Sequence, residues 1–104
     1  MRVKFRIGIE KEGKRLKKKD LQGVRDPLYI GMRYITEFKY LEATKWLLLA
    51  KDSYEKYKLL ALINEALGQN EQAREFEELS GKFPRVTDLS FVIEIPEKNF
   101  IQKV

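Results

Sequence analysis

The stretch that decides the fold is YKLLALINEALGQNEQAREFEELSGKFP, residues 57–84, where apolar and small residues recur at helical spacing. Gly68 divides the stretch into two halves, and Ala73 lies where the second half must touch the first. Because glycine readily adopts the left-handed conformation that ends helices, Gly68 predicts a turn between two helices. Pro84 marks the end of the second helix, so the stretch predicts a helical hairpin.

A looser copy of this pattern occupies residues 27–50, PLYIGMRYITEFKYLEATKWLLLA, with Gly31 and Ala43 in place of Ala61 and Ala73. A repeat of this length cannot bury its apolar face alone, so it must stack on a neighbour. Helix starts are indicated by Asp26 before Pro27, by Ser53 and by Asn70, all of which are favoured N-cap residues. The expected helices cover about 27–37, 40–52, 54–67 and 70–80.

Alternating apolar residues flank the helical region on both sides. Residues 3–10 alternate Val, Phe and Ile with polar residues, and residues 89–95 do the same with Leu, Phe and Ile. Such alternation predicts half-buried strands, and two lone strands need partners. We expect them to pair with each other across the helices, with pairing between subunits as the alternative. Gly8 indicates a bulge or a close approach by a helix. Residues 14–19 are expected to form a second, polar strand or a loop.

These elements predict an α+β fold, mostly helical, in a single domain of residues 1–104. Within it we expect a basic strand or hairpin at 1–25, helical repeats at 26–84, and a strand and tail at 85–104. No apolar run is long enough for a transmembrane helix and no signal peptide is evident, so a cytoplasmic location is expected. The abundance of Lys and Glu without Cys is typical of thermophile proteins.

Composition argues against an enzyme. Cysteine and histidine are both absent, which removes disulfides, the usual zinc ligands and the base of a nucleophilic triad. No acid–base constellation is evident, so we expect no catalytic residues, no metal and no cofactor.

The net charge of +5 is concentrated in the N-terminal third, where residues 1–33 contain 11 Lys and Arg against 4 Asp and Glu. A basic patch attracts nucleic acid, anionic membrane or acidic protein. The candidate phosphate contacts are Lys14, Arg15, Lys17, Lys18 and Lys19. Because no aromatic residue is interleaved among them to stack bases, a solvated surface is the favoured interpretation.

The spacing of residues 27–84 resembles the tetratricopeptide repeat, although a generic four-helix arrangement could share it. The resemblance implies two stacked antiparallel hairpins with a groove, lined by the first helix of each, that binds a peptide or a helix of another protein. The expected groove residues are Arg25, Met32, Thr36, Lys58, Leu62 and Glu65, with Leu28, Ile35, Glu55 and Ala66 beside them. Leu62 stands where the family's carboxylate clamp has Asn, so that clamp is expected to be absent.

Two functional hypotheses follow. The leading one is a small non-enzymatic module that binds another protein or peptide through the groove, with a homodimer through the strands also possible and no membrane association. The alternative is a nucleic-acid-associated accessory protein that uses the basic N-terminal hairpin. A continuous basic face through Lys4, Arg6 and residues 14–19 would favour nucleic acid, whereas an apolar groove would favour protein. Tyr40 is expected to be exposed.

Overall fold

The computed structural model describes residues 3–104, which fold as an α+β protein in agreement with the predicted class. Its helices are α1 (Lys18–Leu21), α2 (Pro27–Thr36), α3 (Tyr40–Leu49), α4 (Tyr54–Ala66) and α5 (Asn70–Ser80). Its strands are β1 (Arg6–Lys11), β2 (Lys14–Arg15), β3 (Leu89–Ile95) and β4 (Phe100–Lys103). A 3₁₀ turn, Pro96–Lys98, joins β3 to β4.

Local capping explains where two of the long helices begin. The Asp26 carboxylate accepts a hydrogen bond from the Leu28 amide at 2.9 Å, and the Ser53 hydroxyl accepts one from the Lys56 amide at 3.1 Å. Both bonds satisfy amide donors that a helix start leaves unpaired. The predicted Asn70 cap is wrong, because Gln69 occupies the N-cap of α5 without a side-chain bond and Asn70 is the first helical residue.

The long helices pack as neighbours along the chain, α2 against α3 and α4 against α5. A side chain cannot fit between α2 and α3 at Gly31, where a Cβ atom would lie 2.8 Å from Leu47 Cδ2 and 3.3 Å from the Ala43 carbonyl oxygen. Ala43 and Ala73 are both buried, as the repeat spacing predicts. Small residues therefore allow close helix contact in both pairs.

The two predicted strands do pair with each other, inside one antiparallel sheet of order β2-β1-β3-β4. Ile7 lies opposite Ile93 and Ile9 opposite Phe91. Three details differ from the sequence prediction. Strand β1 begins at Arg6 rather than at residue 3, residues 14–21 divide into β2 and the short helix α1, and residues 100–103 add a fourth strand.

The sheet lies against the helices, and its buried side chains join theirs in one hydrophobic core. Strand β1 contacts both α2 and α4. The alternation predicts that Phe5, Ile7, Phe91 and Ile93 face the helices. The first three are buried, and Ile93 is only partly buried. The core residues that the sheet region contributes are Phe5, Ile7, Ile9, Leu89 and Phe91.

Tyr40 supplies a hydrogen-bond partner to β1 at a point that the short strand β2 does not reach. Its hydroxyl accepts a hydrogen bond from the buried Ile7 amide at 3.0 Å. Tyr40 is therefore only 3% exposed, and the expectation of an exposed side chain is wrong. Burial of the hydroxyl raises the pKa of Tyr40 above its ordinary value of 10.0.

Replacing Tyr40 with phenylalanine should destabilise the fold by about 1–3 kcal/mol, because the Ile7 amide would lose its acceptor in a buried position. Chemical denaturation measures this loss, and Tyr34→Phe is the matched control at a partly buried site. Because the folded-state pKa is raised, the stability contribution of Tyr40 is complete below pH 10.0 and declines as the pH rises through the folded pKa. An equal loss for both variants would contradict the assigned role of the hydroxyl.

Candidate functional site

The expected groove residues are not brought together on one open surface. Met32 is fully buried and Leu62 is 3% exposed, because the sheet packs over α2 and α4 on the side where the groove was expected. Arg25 and Glu65 are exposed, and Thr36 is partly buried beside the sheet. Met32 is therefore a core residue. Of the neighbouring residues, Ile35, Glu55 and Ala66 are also buried and Leu28 is partly buried.

Part of the expected groove survives as a depression of about 430 Å³ between α4 and α5. Lys58, Leu62 and Glu65 line it, and Val104 contributes to its wall. The Lys58 ammonium donates to both carboxylate oxygens of Glu77 at 2.8 and 2.9 Å. This ion pair satisfies the lysine, whereas Glu65 and Arg74, which also line the depression, have no oppositely charged group within 4.0 Å among residues 3–104.

The basic cluster of residues 14–19 is divided by the fold. Arg15 pairs with Glu94 on β3, and the Lys18 ammonium lies 3.4 Å from a Glu37 carboxylate oxygen. No carboxylate oxygen of residues 3–104 lies within 4.0 Å of the ammonium groups of Lys14, Lys17 or Lys19. Three cations thus remain free to bind an anion, and two are held against the body of the protein.

Phe38, which the sequence analysis did not identify as a site residue, lies at the end of α2 and is 55% exposed. Its φ of 61° is in the left-handed region, where a bulky side chain is uncommon. The Arg6 guanidinium lies 4.7 Å from the centre of the ring. The alignment of the two repeats could have identified Phe38 as unusual. It corresponds to Gly68 in the second hairpin, and glycine is the residue that this conformation favours.

The outward side of α3 is a second surface that the sequence analysis missed. Leu41, Leu48 and Leu49 are 51%, 54% and 71% exposed, while the opposite side of the helix is buried in the core. Leu41, Lys45 and Leu48 lie at positions i, i+4 and i+7, and Leu49 is four residues beyond Lys45, so all four share one side. We call this set the α3 face.

Within residues 3–104, no helix has the length and apolar character needed to cross a bilayer. The same residues contain no cluster of three or more acidic side chains placed to hold a metal ion. Comparison with known proteins gives no match to any protein-family model, curated protein or solved structure. The exposed surfaces are therefore the basis for a functional proposal.

Proposed function

We propose that the chain is a small, cytoplasmic, non-enzymatic interaction module of tetratricopeptide-like design that binds another polypeptide through the α3 face. The packing of α2 on α3 and of α4 on α5, with Gly31, Ala43 and Ala73 at buried contacts, supports the tetratricopeptide-like part. Because the sheet covers the side where the groove was expected, the polypeptide is placed on the outward side of the first hairpin.

One observation carries this proposal: three leucines are exposed on the outward side of α3, although its opposite side is already buried in the core. The solvent-facing side of a helix is normally polar. Here Tyr40, Ala43 and Leu47 face the core, while Leu41 and Leu48 are more than half exposed. Monomeric proteins rarely expose a large contiguous apolar patch, and such patches often mark interaction sites. A partner that covers this side would remove the exposed leucines from water.

The charges beside the α3 face indicate the chemistry of its partner. Lys45 lies among the leucines and Lys51 follows the helix, and both are exposed; Glu42, also exposed, is the one acid of α3, so the two lysines outnumber it. No carboxylate oxygen within residues 3–104 lies within 4.0 Å of either ammonium group. A helical partner with apolar residues at i, i+3 or i+4 and i+7 would fit the leucines. Acidic residues beside that stripe would pair with the two lysines, so an acidic amphipathic helix is the proposed occupant.

The proposal is tested by affinity purification from the source cell, with nuclease treatment, followed by titration of the recovered protein. Leu48→Glu should weaken binding by at least about 30-fold, because a central apolar contact is replaced by a charge that repels an acidic partner. Val86→Glu makes the same change in charge at an apolar residue that is 75% exposed elsewhere, and should leave binding unchanged. Equal binding by the wild type and Leu48→Glu would contradict the proposal.

A further inference from the structure

A second surface, separate from the α3 face, begins at Phe38. In the second hairpin the same position after the helix is Gly68, with a φ of 81° that glycine adopts freely. Phe38 adopts the corresponding conformation with a bulky side chain. That side chain is 55% exposed, so it does not fill the core. Strained residues of this kind concentrate at functional sites, so the exposed ring itself requires an explanation.

Arg6 holds this ring from one side. Its guanidinium lies 4.7 Å from the ring centre, a distance at which the cation and the aromatic face attract each other. The contact restrains the ring while leaving more than half of the side chain accessible. An exposed and restrained aromatic ring with a guanidinium beside it is suited to stacking against a flat, electron-rich group.

A glycine on β1 allows a second guanidinium to reach the same place. A Cβ atom at Gly8 would lie 2.7 Å from Arg15 Cζ and 2.7 Å from Val92 Cγ2, so any side chain there would displace the arginine. Arg15 instead crosses β1 and pairs with Glu94 on β3. The groups that come close to Gly8 are therefore side chains. The prediction of a bulge or a close approach by a helix at Gly8 is wrong. The resulting cavity, about 210 Å³, is lined by Arg6, Arg15, Thr36, Phe38 and Glu94 among others.

Glu37, next to Phe38 in the chain, lies close to two lysines from different parts of the chain. Its carboxylate lies 3.4 Å from the Lys18 ammonium of α1 and 4.0 Å from that of Lys39. The lysine-rich helix α1 is thus anchored beside the ring. Arg6, Arg15, Lys18 and Lys39 outnumber the two acids Glu37 and Glu94 around it, so the surface keeps a net positive charge.

We propose that this surface, which we call the Phe38 site, binds single-stranded nucleic acid. One base would stack on Phe38, and neighbouring phosphates would contact Arg6 and the lysines at the start of α1 that are unpaired within residues 3–104, Lys17 and Lys19. Stacking on an aromatic ring beside a positively charged track is the mode by which proteins bind single strands without sequence preference. The basic cluster lacks an aromatic residue in the sequence, and the fold supplies one from α2. A single strand is favoured over a duplex, because its bases are free to stack.

The test is fluorescence anisotropy with labelled oligothymidylate and oligouridylate of about 12 nucleotides, and a duplex of the same length, at about 50 and 200 mM salt. The wild type should bind the single strands more tightly than the duplex, with a log–log salt slope of about −2 to −3 for three or four phosphate contacts. Phe38→Leu should weaken single-strand binding by about 5–100-fold without changing the salt slope. Arg6→Gln should make the slope less negative by about 0.7.

Three further variants separate stacking from folding and from the α3 face. Phe100→Leu makes the same change at an exposed phenylalanine on β4 and should bind as the wild type does. Phe38→Gly should melt no lower than the wild type, because glycine relieves the left-handed conformation, yet should bind as weakly as Phe38→Leu. Leu48→Glu should keep oligonucleotide binding, so the two proposals can fail independently. Undetectable wild-type binding at low salt, equal affinity for duplex and single strand, or unchanged binding by Phe38→Gly would overturn the inference.

Discussion

Replacing Phe91 with alanine is expected to lower the free energy of unfolding by about 3–5 kcal/mol. Phe91 lies on β3 at the centre of the sheet, opposite Ile9, and is 1% exposed. The substitution would remove a large apolar group and leave a cavity between the sheet and the helices. An effect of this size is a large part of a small domain's total stability, so the sheet is expected to be essential to the core.

Equilibrium unfolding in guanidinium chloride measures this effect, and Phe100→Ala is the matched control. Phe100 is in the same sheet but is 45% exposed on the edge strand β4. Its removal should cost less than about 1 kcal/mol, because little buried area is lost. If the two substitutions had similar effects, the packing of the sheet against the helices would be wrong.

Lys56→Met is expected to have the second largest effect and to lower the free energy of unfolding by about 2–3 kcal/mol. The Lys56 ammonium donates to the Ala50 carbonyl at 2.9 Å and to the Leu48 carbonyl at 3.4 Å, at the end of α3. It also donates to the Asp52 carboxylate at 3.0 Å, and the whole residue is 6% exposed. A cation is favourable at a helix C-terminus, where carbonyl groups are left unpaired. Methionine would fill the space but leave these acceptors without their charged donor.

Thermal and chemical denaturation of Lys56→Met and Asp52→Asn distinguish the carbonyl contacts from the ion pair. Asp52 is exposed, so Asp52→Asn should cost much less than Lys56→Met. The hydrogen bond from Lys56, with a further one from Tyr57, holds the pKa of Asp52 below its ordinary value of 3.8. Its contribution is therefore complete above pH 3.8 and is lost as the pH falls through the folded pKa, a dependence that Asp52→Asn should remove. A larger loss for Asp52→Asn would contradict this assignment.

Features set by neighbouring residues were predictable from the sequence. The Asp26 and Ser53 caps, the turn at Gly68 and the burial of Ala43 and Ala73 all depend on local conformation or helical period, and all are as expected. The alternation in residues 3–10 and 89–95 likewise predicted strands, because a period of two is unambiguous when one side is apolar. Short elements escaped prediction: α1 has four residues, and all four residues of β4 are exposed.

The surfaces depend on contacts between distant residues, and the sequence alone did not indicate them. Met32 would line a groove if the sheet covered the other side of the helices, and it is in the core because the sheet covers this side. The residues around Met32 in the sequence do not indicate which side the sheet covers. The approach of Arg6 to Phe38 joins residues separated by more than 30 positions in the chain. The exposure of Leu48 was not predictable either, because only the packing of α3 decides that Leu47 is buried and its neighbour Leu48 is exposed. Only the alignment of the two repeats, in which Phe38 stands in place of a glycine, indicated one of these surface residues.

We propose that the α3 face binds an acidic helix of another protein. The most direct test of this proposal is photocrosslinking from residue 48 in the source cell, with benzoylphenylalanine in place of Leu48. The matched control has the same photoreactive group at Glu75, an exposed position on α5. We predict nuclease-resistant protein adducts from position 48 that are absent from position 75. Mass spectrometry should map them to one amphipathic, acidic segment of the partner. Adducts that are absent, or that are the same from both positions, would contradict the account.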